Sequence, residues 1–251
     1  MKIDFKIADN LIVASHITGI YDVNRSTTLA NDDFSLVAEW AKSIKTLGLQ
    51  GVIFHNNFSD ATCKLHQNNH IHFIKVAYNP KYNPNVFRYF VYAEFLKIHS
   101  KSIKNIFFTD VSDVMVLKNP FQEKLYLNNR DTIFCGDEPE ILENEWMQKH
   151  SQHLRSKITN YAAYEADFKT EILLNCGIFG GNMDVIHPFI EKLWAIHREN
   201  NTDNNTPYTG DMGAFNYLVR MHYHDKVIHG SPVNTVFKNY TADDLCWFMH
   251  K

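Results

Sequence analysis

Residues 105–121, NIFFTDVSDVMVLKNPF, decide the reading of this chain. Ile106, Phe107 and Phe108 form a short apolar run bounded by polar residues, the pattern of a buried strand. The run stops at two carboxylates, Asp110 and Asp113, separated only by Val111 and Ser112. A second apolar run, residues 114–117, follows at once and closes on Asn119-Pro120, a turn signal. Two like charges about 4 Å apart repel by roughly 1 kcal/mol in water and about 4 kcal/mol at an effective dielectric of 20. Along the chain no Lys or Arg lies nearer than Lys118. A hard divalent cation, Mn²⁺ or Mg²⁺, would relieve that repulsion. The plainer alternative has one Asp capping a turn and the other facing water.

The sequence before this stretch alternates strand and helix. Residues 11–15 (LIVAS) read as a strand, followed by a Thr/Asn/Asp-rich loop over 16–33. Residues 34–47 carry apolar side chains at helical spacing and end at Gly48, a C-cap residue. Strands are expected at 51–55 and 71–77, then a helix over 85–100 with Arg88 and Lys97 on its exposed face. Such alternation predicts a doubly wound, mostly parallel sheet, in which ligands bind beyond the carboxyl ends of strands. Asp110 would lie at such an end.

The second half is less regular. It suggests a strand over 131–136 leading into Asp137 and Glu138, and one polar helical stretch over 144–167. A strand at 171–174 opens into a glycine turn, and helices follow over 188–199 and 211–221. Short strands at 226–229 and 246–250 end the chain. No repeat, low-complexity linker or composition break divides it, so one domain over 1–251 is expected. Residues 1–113 would be its regularly alternating half and 114–251 its less regular half.

Bulk properties narrow the function. The chain has 251 residues, enough for a sizeable core, and 45% hydrophobic content without any stretch of membrane-spanning length. The net charge of −3 and the lack of a basic stripe give no case for nucleic acid. The first residues, MKIDFKIADN, lack an apolar signal core, so a cytoplasmic location is the expectation, with peripheral membrane contact compatible. Four cysteines without CxxC spacing read as reduced core residues.

Three further features converge on the Asp110/Asp113 edge. NCGIFGGN (residues 175–182) holds three glycines, implying left-handed backbone or close approach to a neighbour, for a ligand or merely for packing. GDMGAFNY (210–217) begins a helix at Asp211, which suits an N-cap, a site carboxylate, or both. His229 and His250 each follow a short apolar run, and either would complete an oxygen-rich metal shell.

Taken together, the acidic pair with its flanking NPF, the N-x-G-x-x-G-G segment and the later D-x-x-x-x-N helix resemble the nucleotide-sugar-dependent glycosyltransferases of the A-type (GT-A) fold. The glycogenin-like branch is nearest, and the likeness covers most of the chain from Arg88 onward. It implies a Rossmann-like α/β domain with a mixed, mostly parallel sheet flanked by helices. It also implies a metal-dependent hexosyl transfer, with retention favoured over inversion, from a UDP-sugar to a glycan or lipid-linked hydroxyl acceptor, as in bacterial surface polysaccharide or lipooligosaccharide synthesis. Carried over residue by residue, Asp113 binds Mn²⁺ or Mg²⁺ directly, and Asp110 binds the metal or the donor ribose. His250 is the first choice for a third ligand and His229 the second. Arg88 would meet the diphosphate, and Thr18 and Gly19 the base and ribose. Asn175, Gly177, Gly180 and Gly181 would form the turn against the donor. Asp211 would be the catalytic carboxylate, with Asp137 or Glu138 behind it. Acceptor contacts would lie in residues 144–167 and 200–209. Two departures stand out: the acidic pair has two intervening residues instead of one, and the chain ends one residue after His250.

Three other readings explain less. A haloacid-dehalogenase-type phosphatase needs its second Asp two positions on and near the N-terminus. A nucleotidyltransferase needs a glycine-rich, basic first loop. A metal-dependent carbohydrate-binding module accounts for carboxylates and aromatics but not for the nucleotide-type first half.

Overall fold

The computed structural model describes residues 3–22, 26–200 and 210–251. Its strands are β1 (Asn10–His16), β2 (Tyr21–Asp22), β3 (Thr27–Thr28), β4 (Gln50–His55), β5 (Ile71–Lys75) and β6 (Asn105–Thr109). They continue with β7 (Val114–Val116), β8 (Ile133–Ile141), β9 (Ile172–Asn182), β10 (Val227–His229) and β11 (Phe248–His250). The helices are α1 (Ser35–Thr46), α2 (Asp60–His66), α3 (Pro84–His99), α4 (Lys124–Asn128), α5 (Glu145–His150), α6 (Gln152–Arg155), α7 (Tyr161–Asp167), α8 (Met183–Asn200) and α9 (Asp211–His222). None of the described helices is long and apolar enough to cross a membrane.

Seven strands form one sheet in the order β10-β8-β9-β6-β1-β4-β5. Only β9 runs antiparallel to its neighbours, β6 and β8; every other pairing is parallel. The chain is therefore an α/β protein with a mixed, mostly parallel, Rossmann-like sheet, and that sheet runs continuously through both halves. Alternation along each strand serves two cores, one on each face. Leu11, Val13, Ile106 and Phe108 pack on the side of α3, α8 and α9. Ile12, Ala14, Phe107 and Ile178 pack with Val37 and Trp40 of α1 on the other.

The glycine-bearing segment is not a turn. Residues 172–182 form one strand, β9, buried at every position from Leu173 to Gly181. The segment stays extended because Ile178 and Phe179 are buried on opposite faces and both neighbours hydrogen-bond to it. Its glycines serve close approach: a Cβ on Gly180 would lie 2.3 Å from the Ile106 carbonyl oxygen, and one on Gly181 2.8 Å from that of Thr132. Both are packing positions away from the end of β6.

Other differences have local causes. Helix α8 begins five residues earlier than Pro188, which lies inside it. Burial of Ile186, Phe189, Ile190 and Leu193 outweighs the one backbone hydrogen bond that the proline removes. The expected long helix over 144–167 is three short ones, with α6 tied to α7 by paired bonds from Arg155 to Glu165 at 2.6 and 2.7 Å. Helix α2 went unread because none of its residues is buried; its signal is the Ser59 cap, whose hydroxyl accepts from the Thr62 amide at 3.1 Å. Arg88 is buried within α3, not on its exposed face. The four cysteines are free.

His197 of α8 is fully buried and stacks on Tyr89 at 5.3 Å, with no hydrogen bond to either ring nitrogen among the described residues. Burial pushes its imidazole down to about 3. The unfolded chain, with an ordinary histidine near 6.5, therefore binds more protons between pH 6.5 and 3. Stability falls as pH drops through that window, by up to about 1.4 kcal/mol per pH unit. Urea unfolding at pH 7 and pH 5 should show the loss, and His197→Phe should shrink it. Gly180→Ala should cost about 2 kcal/mol or more, because the new methyl meets backbone and not a movable side chain; denaturant midpoints measure it.

Candidate functional site

At the end of β6, just past its last pair with β9, the Asp110 amide donates to the Gly177 carbonyl at 2.7 Å. The chain then turns through Val111 and Ser112 to Asp113 and enters β7. That strand pairs antiparallel with β11, and the register sets His250 opposite Val114, the residue after Asp113. The Lys251 amide donates to the Asp113 carbonyl at 2.8 Å and fastens the chain end there. Burial of Trp247 and Phe248 in the core anchors β11. The consequence is a cluster in which Asp110, Asp113 and His250 each offer one ligand atom, all within 4.8 Å of one another.

These residues suit a hard divalent cation. Two carboxylates and one imidazole form an oxygen-rich donor set of the kind Mn²⁺ and Mg²⁺ accept. Burial pushes the His250 imidazole down to about 4, against the nearby Asp110 charge, so it is neutral at pH 7 and keeps a lone pair. Its Nδ1 is buried without a hydrogen bond among the described residues. Gly177 keeps the approach open: a Cβ there would lie 2.7 Å from both Asp110 Oδ2 and His250 Cε1.

The relief of carboxylate repulsion expected from a cation is partly internal. Arg88 Nη1 bonds Asp110 Oδ1, and Nη2 donates to Asp211 Oδ2 at 3.1 Å. Burial alone works against the charged guanidinium, but its pairing with the Asp110 and Asp211 carboxylates more than offsets it. The other Asp211 oxygen meets His150 Nε2 at 2.8 Å. Asp211 opens α9, where a carboxylate is favoured by the helix dipole. The cap position itself belongs to Gly210, whose φ of 67° suits glycine. Asn216, the last residue of the D-x-x-x-x-N motif, exchanges bonds with Leu174: its Oδ1 accepts from the amide at 3.0 Å and its Nδ2 donates to the carbonyl at 2.8 Å. That exchange locks α9 onto β9.

A cleft of about 1120 Å³ opens beside these residues. Asp110, Asp113, Arg88, Asn175, Gly177, Glu138, Asp211 and His250 line it. Asn175 spans two of them, accepting from the Gly177 amide at 2.6 Å and donating to Glu138 Oε1 at 2.7 Å. Burial raises the Glu138 carboxyl above the ordinary glutamate range despite that hydrogen bond.

No family model matches the chain, and no curated protein does. The site therefore rests on geometry, which does not gather every expected residue. Asp137 and His229 bond each other at 2.9 Å and do not line the cleft. Gly180 and Gly181 pair with Phe107 and Ile106, further along β6 from Asp110. Thr18 and Gly19 do not line the cleft. Asn56 and Asn57 hold the Thr18 backbone, so Ile17, Ile20 and Tyr21 of that loop face the space. Of the expected acceptor segment 200–209, residues 201–209 lie outside the described residues.

Trp146 and His150, which line the cleft, lie within the expected acceptor segment 144–167 without being singled out there, and Lys238, which also lines it, was not expected. The amide of Lys238 donates to the His250 carbonyl at 3.3 Å, which sets this lysine beside the candidate metal cluster. No spacing rule marks these residues; only a register between distant strands and helices brings them in.

Arg88→Ala leaves the buried Asp211 and the half-buried Asp110 without their guanidinium. It should lower stability by about 3–5 kcal/mol, and adding Asp211→Asn should recover part of the loss. Chemical denaturation of both variants measures this.

Proposed function

We propose that this chain is a metal-dependent glycosyltransferase that uses a nucleoside-diphosphate sugar, with a UDP-sugar as the first donor to test. The carrying observation is the Asp110–Asp113–His250 cluster at the carboxyl end of a central strand, opening on the cleft. In an α/β sheet that edge is where nucleotides bind.

Asp110, Asp113 and His250 would hold the ion. When bound, it would supply charge neutralisation to the departing diphosphate and a template for the donor. Arg88 has both terminal nitrogens engaged by carboxylates, so its role is to fix Asp110 and Asp211. Lys238, one of the basic residues lining the cleft, would meet a phosphate. Asp211, with both oxygens bound, is a poor proton acceptor but a good stabiliser of positive charge at a sugar carbon, in keeping with retention. Glu138, raised by burial and steadied by Asn175, is better suited to exchange a proton with an acceptor hydroxyl. Positioning and electrostatics would then provide most of the rate.

Calorimetry with UDP, with and without Mn²⁺, tests the reading. Metal-dependent UDP binding is expected, and Asp113→Asn should weaken it more than about 100-fold, beyond the usual loss from outer-shell changes, while the unfolding midpoint stays close to wild type. UDP binding indifferent to Mn²⁺, or unchanged in Asp113→Asn, would refute the assignment.

A further inference from the structure

Trp146 has a surface position unlike that of the other three tryptophans. Trp40 and Trp247 are buried in the core and Trp194 packs partly against it, whereas Trp146 is 46% exposed and lines the cleft. An exposed indole is held in a fixed plane only if something backs it. Here the His150 ring stacks on one face at 4.4 Å, with 19° between the planes. His150 is in turn fixed by its bond to Asp211 at 2.8 Å. The indole is thus mounted on the network that holds Asp211, and it lines the cleft.

The chemistry around the indole is specific. Glu138 and Glu140 of β8 both line the cleft. Of the Asp, Glu, Lys and Arg side chains lining the space, six are carboxylates and three are basic. An apolar ring face beside hydrogen-bond acceptors matches the C–H face and hydroxyl edge of a pyranose. The carboxylate excess disfavours a sugar that is itself anionic.

We propose that Trp146 is the platform of the acceptor subsite, stacking a neutral pyranose whose hydroxyls are taken by Glu138 and Glu140. The assignment rests on the transferase reading for its place in a reaction, but the sugar contact itself does not require the nucleotide.

The test uses the whole chain labelled at its indole nitrogens. The Trp146 signal is identified by its loss in Trp146→Phe. Methyl galactoside and methyl glucoside are titrated in, with methyl glucuronoside as the anionic comparator, in the absence and then the presence of Mn²⁺ and UDP. A saturable shift of the Trp146 signal by a neutral glycoside, much weaker with the glucuronoside, is the expected result. In transfer assays Trp146→Ala should raise the acceptor KM about tenfold and leave the donor KM unchanged, with Trp146→Phe in between. If no neutral glycoside moves the signal, with or without Mn²⁺ and UDP, the subsite is wrong. An equal response to the anionic sugar overturns it as well. Metal-dependent UDP binding without any sugar shift would sink this inference alone, whereas a sugar shift without UDP binding would keep the subsite and remove the transferase reading.

Discussion

A buried guanidinium bridging two carboxylates is the constraint on which the rest of the site depends. Arg88 comes from the middle of α3, Asp110 from the end of β6 and Asp211 from the start of α9. Removing any one of these charges from water is costly, and only mutual pairing makes the arrangement tolerable. The bridge therefore fixes how α3 and α9 sit against the sheet edge. It also leaves one Asp110 oxygen, Oδ2, toward Gly177 and His250.

The metal-type cluster is the product of a ladder far from Asp110 in sequence. β7 is only three residues long and would not persist by itself. It is held because β11 pairs with it and Trp247 fills the core beneath. That pairing carries His250 across more than a hundred residues to the acidic pair. Small residues matter as much as charged ones, since Gly177 leaves the room in which Asp110 Oδ2 and His250 face each other. A side chain at that one position would fill the space between them.

Much of the fold was legible. The alternation over residues 11–110 gave the parallel half of the sheet, because buried strands and amphipathic helices differ in the period of their apolar residues. Asp110, Asp113 and His250 were also legible as candidates, since acidic pairs and histidines placed at strand ends are visible in one dimension. Other elements were not. The glycines of β9 have the look of a turn until the backbone of β6 is seen packed against Gly180. The surface helix α2 buries nothing, so no periodicity betrays it. Arg88 looked exposed because the pairing that justifies its burial lies 22 and 123 residues away.

The sequence by itself determined the α/β class, the strand that ends in carboxylates, and the residue types from which a hard-cation site can be built. Those follow from local patterns of polarity and charge. Tertiary structure alone decided which residues meet: that His250 and not His229 reaches the acidic pair, that Glu138 and not Asp137 lines the cleft, and that Arg88 is a strut between carboxylates. Those outcomes turn on strand register, where a shift of one residue sends a side chain to the opposite face of the sheet.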